Sequence, residues 1–539
     1  MEYFSIFNDV LGPVMTGPSS SHTAGCARIG AMTRILHGRE IRRAEVIFDQ
    51  NGSYPGTCRG QGSDRGFTGG LLGFSPDDLR LKNALEIAEK SGVRVEFKQA
   101  DLGAHHPNEA RINVYDGESD RVEMSVLTRS VGGGMIEIVE MDGFPVSIKG
   151  ETGTIYIAAR GEEAFDQIRK KLDGKTRYVE KQNGERILFE IRSSSFNEEN
   201  DEKELKEKEL RDFRELPGID FVRVAEVILP APKRERPAPP FENAAGALER
   251  LKQSGEKKEM WELAVAYEKG VTFLSADEIF GKIREILQVM RESGKPVDPA
   301  RTVSQGFLGY QASGMLEKAA KIRTVNMGFL EDCMIWAVSV MENNCARNKI
   351  VAAPTAGSCG VIPASVVAIG DKMGCSDEAI EKALLAAGLV GVFIANSATF
   401  GAEVAGCQAE NGAAGAMAAA GVVQLLGGSV ENGFQAASLA LQNLLGLICD
   451  PVGGLAEVPC VGRNVAAAFN AVVSANMVMC GYNPIIPLDE TIDAMFKVGK
   501  MLPEALRCTC RGGLCDTPTA KMITERLARE NAAAEVRRH

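Results

Sequence analysis

The sequence predicts a multidomain α+β protein, and three observations predict it. Short helical stretches mix with β-rich pieces over residues 1–150, a β-α-β-β-α-β rhythm follows, and beyond a proline-rich run come Ala- and Gly-rich helices without strand alternation. The length of 539 residues corresponds to about three domains. Its 45% hydrophobic and 25% charged content is that of globular proteins, which excludes wholesale disorder and fibrous architecture. A formal net charge of −11 argues against nucleic acid or an anionic membrane as the main partner.

In chain order, the opening MEYFSIFNDVLGP carries Glu2 and Asp9 and has neither a basic start nor a long apolar run, so a signal peptide is not expected. Residues 1–150 form a first domain with the β-rich pieces AEVIFDQ, VRVEFKQ, RINVYDG and MIEIVEM. Residues 151–229 run TIYIAAR, a helical EEAFDQIRKKL, RYVEKQNGERILFEIRS and a helical stretch ending at FVRVAEVIL, the order of a ferredoxin-like module. Within it the mixed-charge run Asn197–Glu215 reads as a solvated helix or loop. Residues 230–240, PAPKRERPAPP, hold five prolines and read as a stiff, extended linker.

Residues 241–539 read as an all-helical domain. Ser275 and Glu278 have capping-box spacing before IFGKIREILQVM, whose Ile and Leu positions keep a helical period. Ala383–Ala402 and Asn411–Val430 are uncharged over twenty residues each, but their Ala, Gly, Asn and Ser content suits close packing inside a soluble protein better than hydrocarbon. Eleven of the 13 cysteines follow residue 330. An odd count in a long chain without an export signal points to a reducing cytoplasm and free thiols, most of them small buried hydrophobes.

Three groups of residues carry chemistry. Gly17-Pro18-Ser19-Ser20-Ser21-His22-Thr23 precedes a helix, where hydroxyls and free backbone N–H groups make an anion site and His22 could act as a base. Taken alone, the segment reads rather as an ordinary N-cap beside a surface histidine. Pro354-Thr355-Ala356-Gly357-Ser358-Cys359-Gly360 again places small and hydroxyl residues before a helix, which suggests a site at a domain junction. Cys407, Cys449 and Cys460 stand 42 and 11 residues apart, a spacing that by itself indicates neither a zinc finger nor a ferredoxin site. Each nevertheless sits among Gly, Pro and carboxylates at a helix break, where an inert buried thiol is less expected.

GPSSSHT, His106-Pro107-Asn108, SVGGGMIEI, AAPTAGSCG, GCQAE, ICDPVGGLAEVPCVGRN and the late GGL…TPTA together resemble the iron–sulfur L-serine dehydratases over nearly the whole chain. The resemblance implies a β-type domain, an ACT-like module and a catalytic α-type domain. It implies a [4Fe–4S] cluster held by Cys407, Cys449 and Cys460, with one iron open as a Lewis acid for β-elimination of water from L-serine. It implies substrate contacts from Ser19, Ser20, Ser21, Thr23, Asn108, Thr355, Ala356, Gly357 and Ser358, with His22 and His106 in proton transfer. A small amino acid is the expected partner, without nucleic acid or membrane, in a homodimer.

One departure bears on substrate. Where the family carries a GHGTD-like stretch this chain has Arg59-Gly60-Gln61-Gly62-Ser63-Asp64, and Gln61 cannot exchange a proton near neutral pH. Either His22, His105 or His106 serves, or another small amino acid such as L-cysteine or L-threonine replaces serine. A noncatalytic amino-acid sensor is a further alternative, opposed by the three intact cysteines. Cys508, Cys510 and Cys515 could supply a further ligand, bind a separate metal, or be free thiols.

Overall fold

The computed structural model describes residues 3–117, 119–172, 178–192, 210–234, 237–298 and 306–536. The first 150 residues build a six-stranded sheet in the order Arg94–Ala100, Arg43–Asp49, Glu109–Tyr115, Val122–Gly132, Met135–Met141, Phe144–Ile148. Only the first pair is parallel; every other neighbour is antiparallel. Along Val122–Gly132, buried and less buried positions alternate, as expected of a strand with one face on the core. Gly25–His37 and Ser63–Leu71 pack against this core with their backbones close together. Glycine permits that approach: a Cβ on Gly30 would lie 2.6 Å from the Phe67 carbonyl oxygen and 2.8 Å from the Leu71 nitrogen.

A four-stranded antiparallel sheet follows, ordered Ile219–Ala225, Thr154–Arg160, Arg186–Arg192, Tyr178–Asn183, with Glu162–Leu172 packed on it. Of the mixed-charge run, residues 197–209 lie outside the described residues, and 210–214 are helical. The proline-rich segment is extended but docked rather than free. The Ala231 N–H donates to Asn8 Oδ1 at 2.9 Å, Asn8 Nδ2 donates back to the Ala231 carbonyl at 2.7 Å, and Ala238 N–H donates to Gly270. An extended chain presents backbone groups that need partners when covered, and here the first domain and the helical body supply them.

The helical body is built on Asp377–Ser397 and Asn411–Leu425, which are buried almost throughout. Their alanines and glycines leave room for neighbours: a Cβ on Gly421 would meet Val366 at 2.9 Å and the Ala383 carbonyl at 3.0 Å. Ser275 and Glu278 do form the capping box of Ala276–Ser293. No helix among the described residues is long and apolar enough to cross a membrane. The all-helical expectation for this region needs one correction. Lys349–Val351 is a strand, paired antiparallel with Val14–Thr16 near the chain's start. Three residues are too few to show alternation, and the partner lies more than 300 positions away, so no local pattern announces it.

Close helix packing is testable. Gly30→Ala is expected to destabilise the protein by about 1–3 kcal/mol, because the methyl meets backbone atoms that cannot rotate away. Gly56→Ala, where nothing lies within 4 Å, is expected to be neutral. Denaturant unfolding of the two variants checks both.

Candidate active site

Ser19 opens the turn Ser20–Ala24, and its Oγ accepts the His22 N–H at 3.1 Å. His22 is buried rather than on the surface, and both ring nitrogens have partners: Nδ1 faces Ser21 Oγ at 2.9 Å and Nε2 faces Ser53 Oγ at 3.2 Å. The partners select the tautomer. Asn108 Nδ2 donates to the Ser130 carbonyl at 3.3 Å, which turns Oδ1 toward Ser53; the Ser53 hydroxyl donates to that oxygen and must therefore accept from His22 Nε2–H. The basic lone pair is left on Nδ1, directed at the hydroxyls of Ser19 and Ser21. Burial pushes the imidazole down to about 4, so it is neutral at pH 7.

His106 is half-buried, and its Nδ1 accepts the Asn108 N–H at 3.1 Å. Its pKa is lowered, first by burial and then by the Arg129 guanidinium. Gln61 serves as a tie. Its carbonyl accepts the Thr23 hydroxyl at 2.7 Å, and Nε2 donates to the Gly454 carbonyl at 3.3 Å, joining the first domain to the loop between Cys449 and Cys460. His105 is exposed, His37 pairs with Glu123 at the far end of its helix, and His539 lies outside the described residues.

The second hydroxyl loop meets the first through one side chain. Asn344 Nδ2 donates to both the Pro18 and the Ala356 carbonyls, at 3.1 Å each. Thr355 and Ser358 cap the short turn Ala356–Ser358, and the Thr355 hydroxyl donates to Glu410 Oε1 at 2.7 Å. Gly357 lies against that carboxyl, where a Cβ would be 2.8 Å from Oε1. Burial pushes Glu410 up to about 7, with Glu403 adding to the rise.

The three cysteines converge on this place. Cys407 sits in a tight turn before Asn411–Leu425, Cys449 in an extended segment bridged to Arg507, and Cys460 begins Cys460–Met479. Cys407 and Cys449 share one small apolar cluster, against which Cys508 packs. Asn411 Nδ2 donates to Cys407 Sγ at 2.9 Å. Asn464 holds the Cys460 helix to the Thr355 loop, donating to the Gly357 and Cys460 carbonyls and accepting the Gly360 N–H. Arg463 braces the Cys449 loop, with ion pairing to Asp450 at 2.8 Å and a hydrogen bond to the Ile448 carbonyl.

This donor set suits a multi-iron cluster. Burial and the neighbouring Glu410 push the Cys407 thiol up to about 12. Burial and then Cys407 raise Cys460, and donation of the Cys449 thiol proton to Cys508, followed by burial, raises Cys449. Mutually repelling buried thiols lose their protons when a cationic centre lies among them. Among the described residues no three His, Cys, Asp or Glu side chains are grouped to grip a single metal ion. Ligands to different irons of one cluster stand further apart than ligands to one ion.

The contacts described join Ser19, Ser21, His22, Thr23, Gln61 and Asn108 on the first loop and Thr355, Ala356, Gly357 and Ser358 on the second, while His105 is exposed and makes none of them. The sequence reading missed Ser53, Asn344, Glu410, Arg463 and Asn464. Asn343-Asn344, following the apolar stretch of Phe329–Cys345 near its end, was the available signal for one of them.

Stability should report the state of His22. The unfolded chain takes up a proton as pH falls through about 6.5, whereas folded His22 stays neutral until about 4. Stability is therefore full above the upper value and is lost progressively between the two. Unfolding free energy measured against pH is expected to slope upward across this window in the parent and less steeply in His22→Gln; equal slopes would contradict the assignment.

Residues 243–515 match the family described as serine dehydratase alpha chain. The probable L-serine dehydratase alpha chain of Bacillus subtilis (strain 168) is 38% identical over 266 residues, covering 49% of this chain and 89% of the relative. The L-serine dehydratase alpha chain of Peptoniphilus asaccharolyticus is 36% identical over 272 residues, 50% of this chain and 93% of the relative. The probable beta chain from the same B. subtilis strain is 45% identical over 157 residues, 29% of this chain and 69% of the relative. The chain belongs to the serine dehydratase family and carries regions similar to both the alpha and the beta chains on one polypeptide.

Proposed function

We propose that this chain is a [4Fe–4S]-dependent L-serine dehydratase, converting L-serine to pyruvate and ammonia by β-elimination. The observation that carries it is the meeting of both hydroxyl loops, a buried neutral histidine and the three cysteines at one junction, in a chain similar to proteins named L-serine dehydratase. Cys407, Cys449 and Cys460 would hold the cluster, whose open iron supplies a Lewis acid that eases loss of the poorly leaving hydroxide.

The chain's own residues do the rest. Ser19, Ser20, Ser21 and Thr23, with the free N–H groups of their turn, bind the substrate carboxylate, while Thr355, Ala356, Gly357 and Ser358 close the opposite side. His22 Nδ1 is the base for the Cα proton, because its lone pair faces the serine loop and the Nε2–H···Ser53···Asn108 chain steadies the imidazolium that forms. His106, whose Nδ1 is already engaged as an acceptor, carries its neutral-state proton on Nε2 and serves as a donor. The aminoacrylate product hydrolyses to pyruvate and ammonia. Gln61 holds two loops together in place of proton transfer.

We infer that residues 151–229 form an ACT-like module that serves regulation or assembly of a cytoplasmic homodimer. Its four-stranded antiparallel order supports this, as does the exposed Val179 on the edge strand Tyr178–Asn183.

Single Cys407→Ser, Cys449→Ser and Cys460→Ser substitutions are expected to abolish iron binding and keto-acid release from L-serine, while Cys480→Ala, exposed on the surface, retains both. Full iron content in all three serine variants would sink the ligand assignment. His22→Ala and His106→Ala are each expected to lower turnover by at least about 10²-fold while the iron–sulfur spectrum persists. Near-full activity in both would mean that the proton moves through another group. Gln61→His is expected to be tolerated.

A further inference from the structure

Cys510 and Cys515 form a second thiol centre beside the cysteine-rich junction. Cys510 is exposed and Cys515 buried, yet both sulfurs address one atom, the Pro451 carbonyl oxygen, at 3.4 and 3.1 Å. Each thiol is the first influence on the other's titration, Cys515 lowering Cys510 and Cys510 raising Cys515. The backbone is committed to this arrangement. Cys510 holds a left-handed φ of 56°, costly for a residue with a Cβ, and Gly513 takes φ 65° where a Cβ would collide with Asp450. Leu514 N–H then donates to Asp450 Oδ2 at 2.8 Å. The turn thus docks two thiols on the segment that begins with Cys449, whose backbone pairs with Leu506 and Cys508.

We propose that Cys510 and Cys515 are a reversible dithiol–disulfide site, oxidised by small-molecule disulfides, whose closure strips the thiol contacts from the Pro451 carbonyl, leaving it the Gly454 N–H, and loosens the Cys449 loop. The Cys510 thiolate, at pKa about 7 through the Cys515 hydrogen bond, attacks one sulfur of the oxidant and expels the other as a thiolate. Cys515, deprotonated, then attacks the Cys510 sulfur and expels the second. The oxidant's S–S bond and two protein S–H bonds are replaced by one protein S–S bond and two free thiols. A disulfide carries no S–H, so Pro451 loses every thiol donor it had.

The test uses the full chain, purified without air, treated with oxidised glutathione, alkylated and digested with trypsin. The expected product is a disulfide-linked pair of peptides, 508–511 with 512–521, which dithiothreitol separates. The link persists in Cys508→Ser and is lost in Cys510→Ser and Cys515→Ser. Alkylation of both thiols, a stable glutathione adduct on Cys510, or loss of the link in Cys508→Ser would overturn the pairing. Amide hydrogen exchange over 449–454 is expected to quicken in the oxidised parent and to stay unchanged in treated Cys510→Ser. Unchanged exchange in the oxidised parent would overturn the coupling to the loop.

Discussion

The architecture depends on one constraint: residues 5–16, all but Val14 buried, are held against a helical body that is formed by sequence more than 200 positions later. A Cβ on Gly388 would lie 2.7 Å from Ile6, and one on Gly391 would press on Val10, so the helix Asp377–Ser397 can bear the N-terminal segment only because both positions lack a side chain. Glu268 accepts the Ser5 hydroxyl at 2.6 Å and the Ile6 N–H at 2.8 Å. Burial pushes this carboxyl up to about 7, so its two donors matter to keeping a charge there. Val14–Thr16 then pairs with Lys349–Val351, and the next residues deliver the Pro18 carbonyl to Asn344. Through this thread the serine loop of one part is held against the helical part, rather than left to the weaker contact of two separate surfaces.

The helical body contributes rigidity more than bulk. Alanine and glycine bury little side chain, but they let helix axes approach until backbones touch, and the dispersion contacts of such packing are dense. The cysteine loops occupy the ends of these helices, where regular structure stops and backbone groups need other partners. Side-chain amides supply many of them: Gln408 reaches the Ala405 carbonyl and accepts the Gly446 N–H, and Asn464 spans three backbone groups. Irregular loops are thereby made as definite as the helices they join.

Charge follows the same economy. Glu403, Glu410 and the thiols of Cys407, Cys449 and Cys460 all have their pKa values raised, and Arg463 is the cation that lies among them. Such a pocket resists holding several negative charges by itself and accepts them when a metal centre brings positive charge. The serine-loop side is different in kind. Neutral donors and acceptors in series fix the His22 tautomer without a counter-ion, which keeps a base uncharged in a buried place.

The sequence by itself determined the local elements and the chemically distinctive residues. Strands such as Thr154–Arg160 and the helix Glu162–Leu172 coincide with the segments read from periodicity, because side-chain alternation and helical period are local properties. Long ordered motifs singled out the two hydroxyl loops and the three cysteines for the same reason, since each is a short run of unusual residue types. Tertiary structure alone decided the strand Lys349–Val351, the docking of the proline-rich segment, and the roles of Asn344, Glu410 and Gln61. Those depend on which backbone atom, from a segment hundreds of residues away, comes within about 3 Å of a side chain. Only the closed fold sets that distance.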